Sequence, residues 1–98
     1  MARKNYRVVY FDFKSSDKFY FDEKDGKKNN TVREIDLEDG RFISLIAYTA
    51  IGFNIGEIKI RISPTTEDNP FMKPFVRIIK NISIYKNLMI ISWVHKDD

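Results

Sequence analysis

The chain has 98 residues and contains no cysteine. Disulfide frameworks, thiolate nucleophiles and cysteine-ligated zinc sites are therefore excluded, and a reducing, cytoplasmic location is the natural expectation. Nowhere do about 18 apolar residues follow one another without a charge, so we expect no helix that spans a membrane. The cations near residue 1 are followed by no apolar stretch of signal-peptide length, which argues against secretion.

Signatures of catalysis are also lacking. The four glycines belong to no phosphate-binding loop and no dinucleotide-binding fingerprint. His95 is the only histidine, which excludes a two-histidine metal site. The acidic run at residues 34–39 is typical of a solvated face, with a nuclease-like magnesium site at Asp36 and Asp39 as the weaker alternative. We therefore expect no catalytic residue, no cofactor and no metal.

Alanine and leucine are scarce, at three residues each, whereas isoleucine occurs fourteen times. β-Branched side chains lose rotamer freedom in a helix, so this imbalance favours strands. The same usage is typical of an AT-rich coding sequence, such as that of a low-GC bacterium, a phage or a plasmid. An apolar fraction of 43% suffices for one hydrophobic core, so we expect residues 1–98 to form a single domain.

Two segments with alternating apolar residues, 6–13 and 18–22, begin the chain. Alternation predicts strands, and the polar residues between the two segments predict a β-hairpin. A hairpin loop with an odd number of residues places Tyr6, Tyr10 and Tyr20 together on the solvent-facing side. The opposite, buried face then carries Val9, Phe11, Phe13, Phe19 and Phe21.

Further along the chain, the pattern predicts a third strand at 31–37, a helix over 41–53 and a strand at 57–63. Asp36 or Asp39 can cap the helix and Gly52 can end it, although the alternation of residues 43–51 leaves a strand as the competing interpretation. A proline-stiffened loop follows at 63–74. From Phe75 to Val94 the pattern suits short strands joined by tight turns.

This order predicts an α+β fold, mostly antiparallel β with one central helix, arranged as a small sheet or a partly open barrel. It is compatible with a barrel of the oligonucleotide-binding type, by analogy of fold alone. No residue motif supports a family assignment.

Positive charge is concentrated in two segments, although the net charge is only +3. Residues 1–11 carry three cations and residues 69–96 carry five, with no acid in either segment. Antiparallel pairing would place the two segments side by side and create one positive surface. Outward cations on the 57–63 strand would extend it.

Tyrosines interleave with these cations, and the combination predicts binding of single-stranded or distorted nucleic acid. Bases stack on exposed rings with roughly 1–3 kcal/mol per base, while lysine and arginine attract the phosphates. The competing interpretation is that these tyrosines and lysines only protect sheet edges. The predicted nucleic-acid-binding residues are Arg3, Lys4, Tyr6, Arg7, Tyr10, Tyr20, Lys59, Arg61, Arg77 and Lys80.

The proline-rich loop supports an alternative function, a protein-binding inhibitor or adaptor. Phe71 and Met72 lie between Pro70 and Pro74, and large apolar side chains on a pre-ordered loop are typical of binding hot spots. The same two side chains could instead fold back over the core. An exposed sheet edge could also receive a partner strand. Trp93 is expected in the core or at a homodimer interface.

Overall fold

The computed structural model describes residues 8–51, 57–65 and 71–95. In these ranges five strands form one mixed, mostly antiparallel sheet that curves into a half-barrel, with two helices. The predicted α+β class with a partly open barrel is confirmed. The elements are β1 (Val8–Ser15), α1 (Asp17–Lys24), β2 (Asn30–Glu34), α2 (Gly40–Ile51), β3 (Glu57–Pro64), β4 (Phe75–Tyr85) and β5 (Leu88–Trp93).

The strand order is β1-β3-β4-β5-β2, with β1 parallel to β3 and the other pairs antiparallel. The first part of β4 pairs with β3 and the last part with β5, and the register shifts between Ile79 and Asn81. A bulge of this kind bends a strand, so one long strand serves both halves of the curved sheet. The predicted turn at Lys80 is therefore a bulge, whereas the turn at 86–87 is confirmed.

The predicted amino-terminal hairpin is wrong, and with it the expectation of a single helix. Residues 18–22 belong to α1. The prediction failed there because five alternating residues are too few to distinguish a strand from a short helix. Asp17 in the first turn and Lys24 in the last turn favour the helix through its dipole. Strand β1 consequently pairs with β3 instead of with its neighbour in sequence.

Helix α1 changes which side chains are buried. Tyr20 is fully buried, and its hydroxyl donates a hydrogen bond to the carbonyl of Lys73. Burial raises the pKa of that hydroxyl above its ordinary value. Phe19 and Phe21, which were expected in the core, are 46% and 43% exposed. The prediction holds on β1, where Phe11 and Phe13 are buried and Val9 packs against the core.

Helix α2 confirms the helical interpretation for the described residues up to Ile51; Gly52 lies outside them. Asp39 caps the helix, since its Oδ1 accepts a hydrogen bond from the backbone N–H of Arg41 at 3.0 Å. Phe42 and Leu45 enter the core, where the Phe42 ring makes an edge contact with Phe13 of β1.

For the described residues 8–11, the expected pairing of the two basic segments is wrong, because β3 separates β1 from β4 and β5. Strand β3 takes the position beside β1 since its three isoleucines, Ile58, Ile60 and Ile62, are all buried. Apolar burial outweighs the charge pattern in choosing strand neighbours. Trp93 lies in the core. Neither helix in the described ranges has the length and apolar character needed to cross a membrane.

Candidate functional site

Strands β1 and β2 are the two edges of the half-barrel, and polar side chains connect them. The Ser15 hydroxyl at the end of β1 donates to Oε1 of Glu23 at 2.7 Å. Arg33 of β2 donates from Nη2 to the same hydroxyl at 3.1 Å, and Lys28 donates to Oε2 of Glu23 at 2.9 Å. Glu23 is almost completely buried, so these hydrogen bonds replace the water that its carboxylate loses.

Two hollows of about 440 and 480 Å³ lie at this connection and share Lys14 and Arg33. Phe19 and Lys28 line the first, and Arg41 lines the second. We call the two hollows together the basic cleft, with its defining residues Lys14, Phe19, Lys28, Arg33 and Arg41. Helix α1, the segment before β2, both edge strands and helix α2 each contribute to it.

The buried ring of Phe13 positions two arginines of the basic cleft. The guanidinium carbon of Arg41 lies 4.3 Å from the ring centroid, and that of Arg33 lies 5.0 Å from it. A guanidinium packed on an aromatic face gains a cation–π attraction and loses side-chain freedom. Both charged groups are thereby held at the wall of the cleft before any ligand arrives.

Arg33 has neutral hydrogen-bond partners. Its Nε donates to the hydroxyl of Thr31 at 2.9 Å and its Nη2 to that of Ser15, and no carboxylate of a described residue lies within ion-pair distance. Burial lowers the pKa of Arg33, and the nearby charge of Glu23 opposes this effect. An arginine nevertheless stays protonated. Arg33 therefore contributes a positive charge to the cleft that no ion pair with a described residue neutralises.

Arg41 and Arg61 are paired with acids. Arg41 donates hydrogen bonds to the carboxylate of Asp39. This interaction holds the pKa of Asp39 below its ordinary value and raises the pKa of Arg41. Arg61 forms an ion pair with Asp12, whose backbone carbonyl also accepts a hydrogen bond from Arg41. Among the described residues, the cleft and its surroundings thus hold five cations and three acids. The cations are Lys14, Lys28, Arg33, Arg41 and Arg61, and the acids are Asp12, Glu23 and Asp39.

Three of the predicted site residues lie together on the outward face of β1 and β3. Tyr10 is the register partner of Lys59, and Asp12 is that of Arg61. The guanidinium carbon of Arg61 lies 4.8 Å from the ring centroid of Tyr10, which is 44% exposed. Because Asp12 also lines the second hollow, this group adjoins the basic cleft.

The other predicted residues do not join this surface. The expectation that Tyr20 and Arg77 face solvent is wrong, because both side chains are buried. Arg77 lies on the core side of β4 and donates to the backbone carbonyls of Lys24 and Val76. Lys80 is exposed on β4, beyond these groups. Four residues, Arg3, Lys4, Tyr6 and Arg7, lie outside the described residues.

The two residues predicted for protein binding have opposite environments. Phe71 is 79% exposed, the largest value among the exposed apolar side chains of the described residues. Met72 is buried and belongs to the core. The alternative that the loop folds back over the core is confirmed for Met72, whereas protein binding through Phe71 stays a prediction.

The sequence pattern missed all five defining residues of the basic cleft. One signal was present, because Arg33 occupies the same phase of its strand as Thr31 and Ile35, which are buried and half-buried. A cation on the inward-facing side of a strand indicates that this part of the strand lies beside an opening of the core and does not cover the core. The other four residues gave no comparable signal, since only tertiary packing brings them together.

Within the described residues, no three histidine or acidic side chains gather in a group that could hold a metal ion. No protein-family model matches this chain, and no curated protein or solved structure matches it significantly. Functional inference therefore depends on the geometry of the basic cleft.

Proposed function

We propose that this protein is a non-catalytic, cytoplasmic module, of phage or plasmid origin, that binds single-stranded nucleic acid in the basic cleft. The supporting observation is the pair Arg33 and Arg41 on the Phe13 ring, beside two hollows where the cations outnumber the acids among the described residues. A guanidinium fork matches two phosphate oxygens at once, which a lysine cannot do.

Exposed aromatic rings in and beside the cleft supply the second ingredient of such binding. Phe19 is 46% exposed at the first hollow, and Tyr10 lies beside Arg61 next to the second. Bases of a single strand can stack on both rings, and the arginines of the cleft attract the phosphates. Paired bases of a duplex cannot stack in this way, so the arrangement favours single strands.

The charge contribution is tested by fluorescence anisotropy with a labelled single-stranded oligonucleotide at low and high salt. We expect Arg33→Ala to weaken binding about tenfold, equal to about 1.4 kcal/mol. The slope of log affinity against log salt should fall by about 0.7, the value for one lost phosphate contact to a single strand. Undetectable binding of the unaltered protein at low salt would refute the proposal.

A matched control is Lys86→Ala, which removes the same charge from the exposed β4–β5 turn. We expect it to leave both the affinity and its salt dependence unchanged. Equal weakening by both variants would show that net charge, and not the basic cleft, determines binding.

Phe19 and Phe21 form a matched pair that tests the stacking contribution. Both side chains are similarly exposed on helix α1, and of the two only Phe19 is among the described residues that line the cleft. We expect Phe19→Ala to weaken single-strand binding by about 1 kcal/mol or more. Phe21→Ala should have no effect, and neither substitution should alter duplex binding. A larger effect of Phe21→Ala would exclude the first hollow as the stacking site.

A protein-binding adaptor is the second candidate, which the high exposure of Phe71 beside the buried Met72 supports. An exposed apolar side chain next to a core anchor loses little freedom on docking. We expect Phe71→Asp to abolish the binding of a protein partner and Phe21→Asp to leave that binding intact. The partner can be a second copy of this chain. Sedimentation of the purified protein measures self-association, and pull-down with both variants tests other partners.

A further inference from the structure

A second cationic group lies where the end of α1 meets β4 and the residues after β5. Its centre is Arg77, whose side chain is 9% exposed. Nη1 donates to the carbonyl of Val76 and Nη2 to that of Lys24, both at 2.9 Å. The guanidinium carbon lies 4.6 Å from the ring centroid of Phe75. These contacts fix the position of the largely buried guanidinium group.

The positive charge of Arg77 has no counter-ion among the described residues. Its acceptors there are backbone carbonyls, and its Nε is buried without a hydrogen-bond partner. Burial lowers the pKa of Arg77, but an arginine keeps its proton. Because a buried charge without a partner is costly, such a site gains stability when an anion binds.

A hollow of about 300 Å³ adjoins this arginine, and its lining also includes Lys24, Asp25, Phe75 and His95. A water molecule takes about 30 Å³ in the liquid, so the hollow has room for a small oxyanion together with water. Among the described residues that line the hollow, Lys24 and Arg77 are cations and Asp25 is the single acid, so the cations are in excess.

His95 reaches this hollow because residue 26 is glycine. Gly26 has a φ of +90°, and a Cβ atom there would lie only 2.8 Å from atoms of the imidazole ring. Any side chain at this position would therefore displace the ring. The Nδ1 atom of His95 is buried and has no partner among the described residues. It is a second polar atom in this corner with an unused hydrogen bond.

We propose that this corner binds a phosphate group, with Arg77 and Lys24 supplying the charge and His95 a hydrogen bond. Each Nη of Arg77 carries a second N–H besides the one given to a carbonyl, and these are donors for the oxyanion. The site shares no residue with the basic cleft, so it stands or falls independently of the proposed nucleic-acid binding.

The test uses the full chain and inorganic phosphate. Since His95 is the only histidine, its two ring carbon-bound protons give NMR signals that need no further assignment. Phosphate is added at constant pH and constant ionic strength, with chloride as the exchanged anion. We expect the His95 signals to shift and to saturate. Shifts no larger than those in chloride alone, or shifts that rise without saturation, would overturn the proposal.

Substitutions locate the site. Arg77→Gln removes the charge and keeps a donor for the carbonyls, and we expect at least tenfold weaker phosphate binding. The control Lys80→Gln loses the same charge from an exposed position three residues further along β4, and should bind as the unaltered protein does. If Arg77→Gln does not fold, Lys24→Gln provides the milder test, with an expected several-fold loss. Unchanged saturation in Lys24→Gln and in any folded Arg77→Gln would overturn the assignment.

A phosphate group can arrive as the free ion or as a phosphate monoester, and a second titration distinguishes them. A nucleoside 5′-monophosphate is compared with the corresponding nucleoside. Saturation with the monophosphate and none with the nucleoside supports the site and identifies a monoester as a ligand. Saturation with inorganic phosphate alone supports the site for the free ion. A response to the nucleoside equal to that of the monophosphate contradicts phosphate recognition.

Discussion

Two regions of this protein place arginine on phenylalanine, with different surroundings. At the basic cleft, Arg33 and Arg41 pack on Phe13 and face two open hollows, with hydroxyl and carboxylate partners. At the corner beside α1, Arg77 packs on Phe75 and is almost completely buried, with carbonyl partners. The stacked pair is chemically the same in both regions, but its access to solvent is not.

The comparison shows that burial decides what such a pair contributes. A half-buried arginine stabilises the fold little, because water already satisfies part of its charge, and it is accessible to a large polyanion. A buried arginine holds backbone segments together and can bind only a small anionic group, such as a phosphate. Arg77 connects the end of α1 to β4 through the carbonyl of Lys24.

The largest expected effect sharpens this comparison through stability. Arg77→Ala removes the hydrogen bonds to two partly buried carbonyls and the packing on Phe75, so we expect a loss of about 3 kcal/mol in the free energy of unfolding. Arg33→Ala should cost about 1 kcal/mol, because its partners are hydroxyls beside open hollows. Urea unfolding of both variants measures the difference. Equal losses would mean that burial does not separate the two regions.

The second prediction concerns the buried carboxylate beside the cleft. Glu23→Gln keeps an acceptor for Ser15 but removes the charge that pairs with Lys28. We therefore expect the free energy of unfolding to fall by about 1–2 kcal/mol. The cleft gains positive charge, and we expect oligonucleotide affinity to rise several-fold. Chemical denaturation and anisotropy measure the two effects, which have opposite signs.

The control for that variant is Glu34→Gln, an exposed acid on β2 next to Arg33. It changes the net charge equally without touching the connection between β1 and β2. We expect a smaller change of affinity and almost none in stability. If Glu34→Gln strengthened binding as much as Glu23→Gln, overall charge would account for the result.

The smallest expected effect is the pH dependence from Asp39. Hydrogen bonds from Arg41 lower the folded-state pKa of this carboxyl below its value in the unfolded chain. Its contribution to stability is therefore present above the unfolded pKa of about 3.9 and is lost as the pH falls through the folded pKa. Thermal unfolding of the protein and of Asp39→Asn between about pH 6 and pH 2.5 measures it. Identical pH profiles would exclude this ion pair as a contributor.

Local patterns predicted the elements whose formation depends on neighbouring residues. The alternation of Ile58, Ile60 and Ile62 gave strand β3, and the Asp39 cap with the apolar stripe after it gave helix α2. The first pattern fits a strand alone, whereas residues 43–51 also alternate, so it was the apolar stripe that favoured a helix for α2. Residues 18–22 are too few to distinguish a strand from a helix. Because they belong to α1 (Asp17–Lys24), Tyr20 is buried and Phe19 and Phe21 are exposed.

The basic cleft could not be predicted in the same way, because its residues come from five separate parts of the chain. Charge counting along the sequence pointed to residues 1–11 and 69–96 as one surface, and the strand order separates β1 from β5. It also counted Arg77 as a surface cation, although that residue lies in the core phase of β4.

The sequence by itself determined the α+β class, the preference for strands and the absence of cysteine chemistry, and it favoured helix α2 over a strand, because each follows from composition or from contacts between near neighbours. Only the tertiary structure decided that β1 runs parallel to β3, that β2 forms the opposite edge, and which arginines meet solvent. The physical reason is that the most stable pairing of strands is the one that buries the most apolar surface of the whole chain. Charged side chains then occupy the positions that this pairing leaves at the edges.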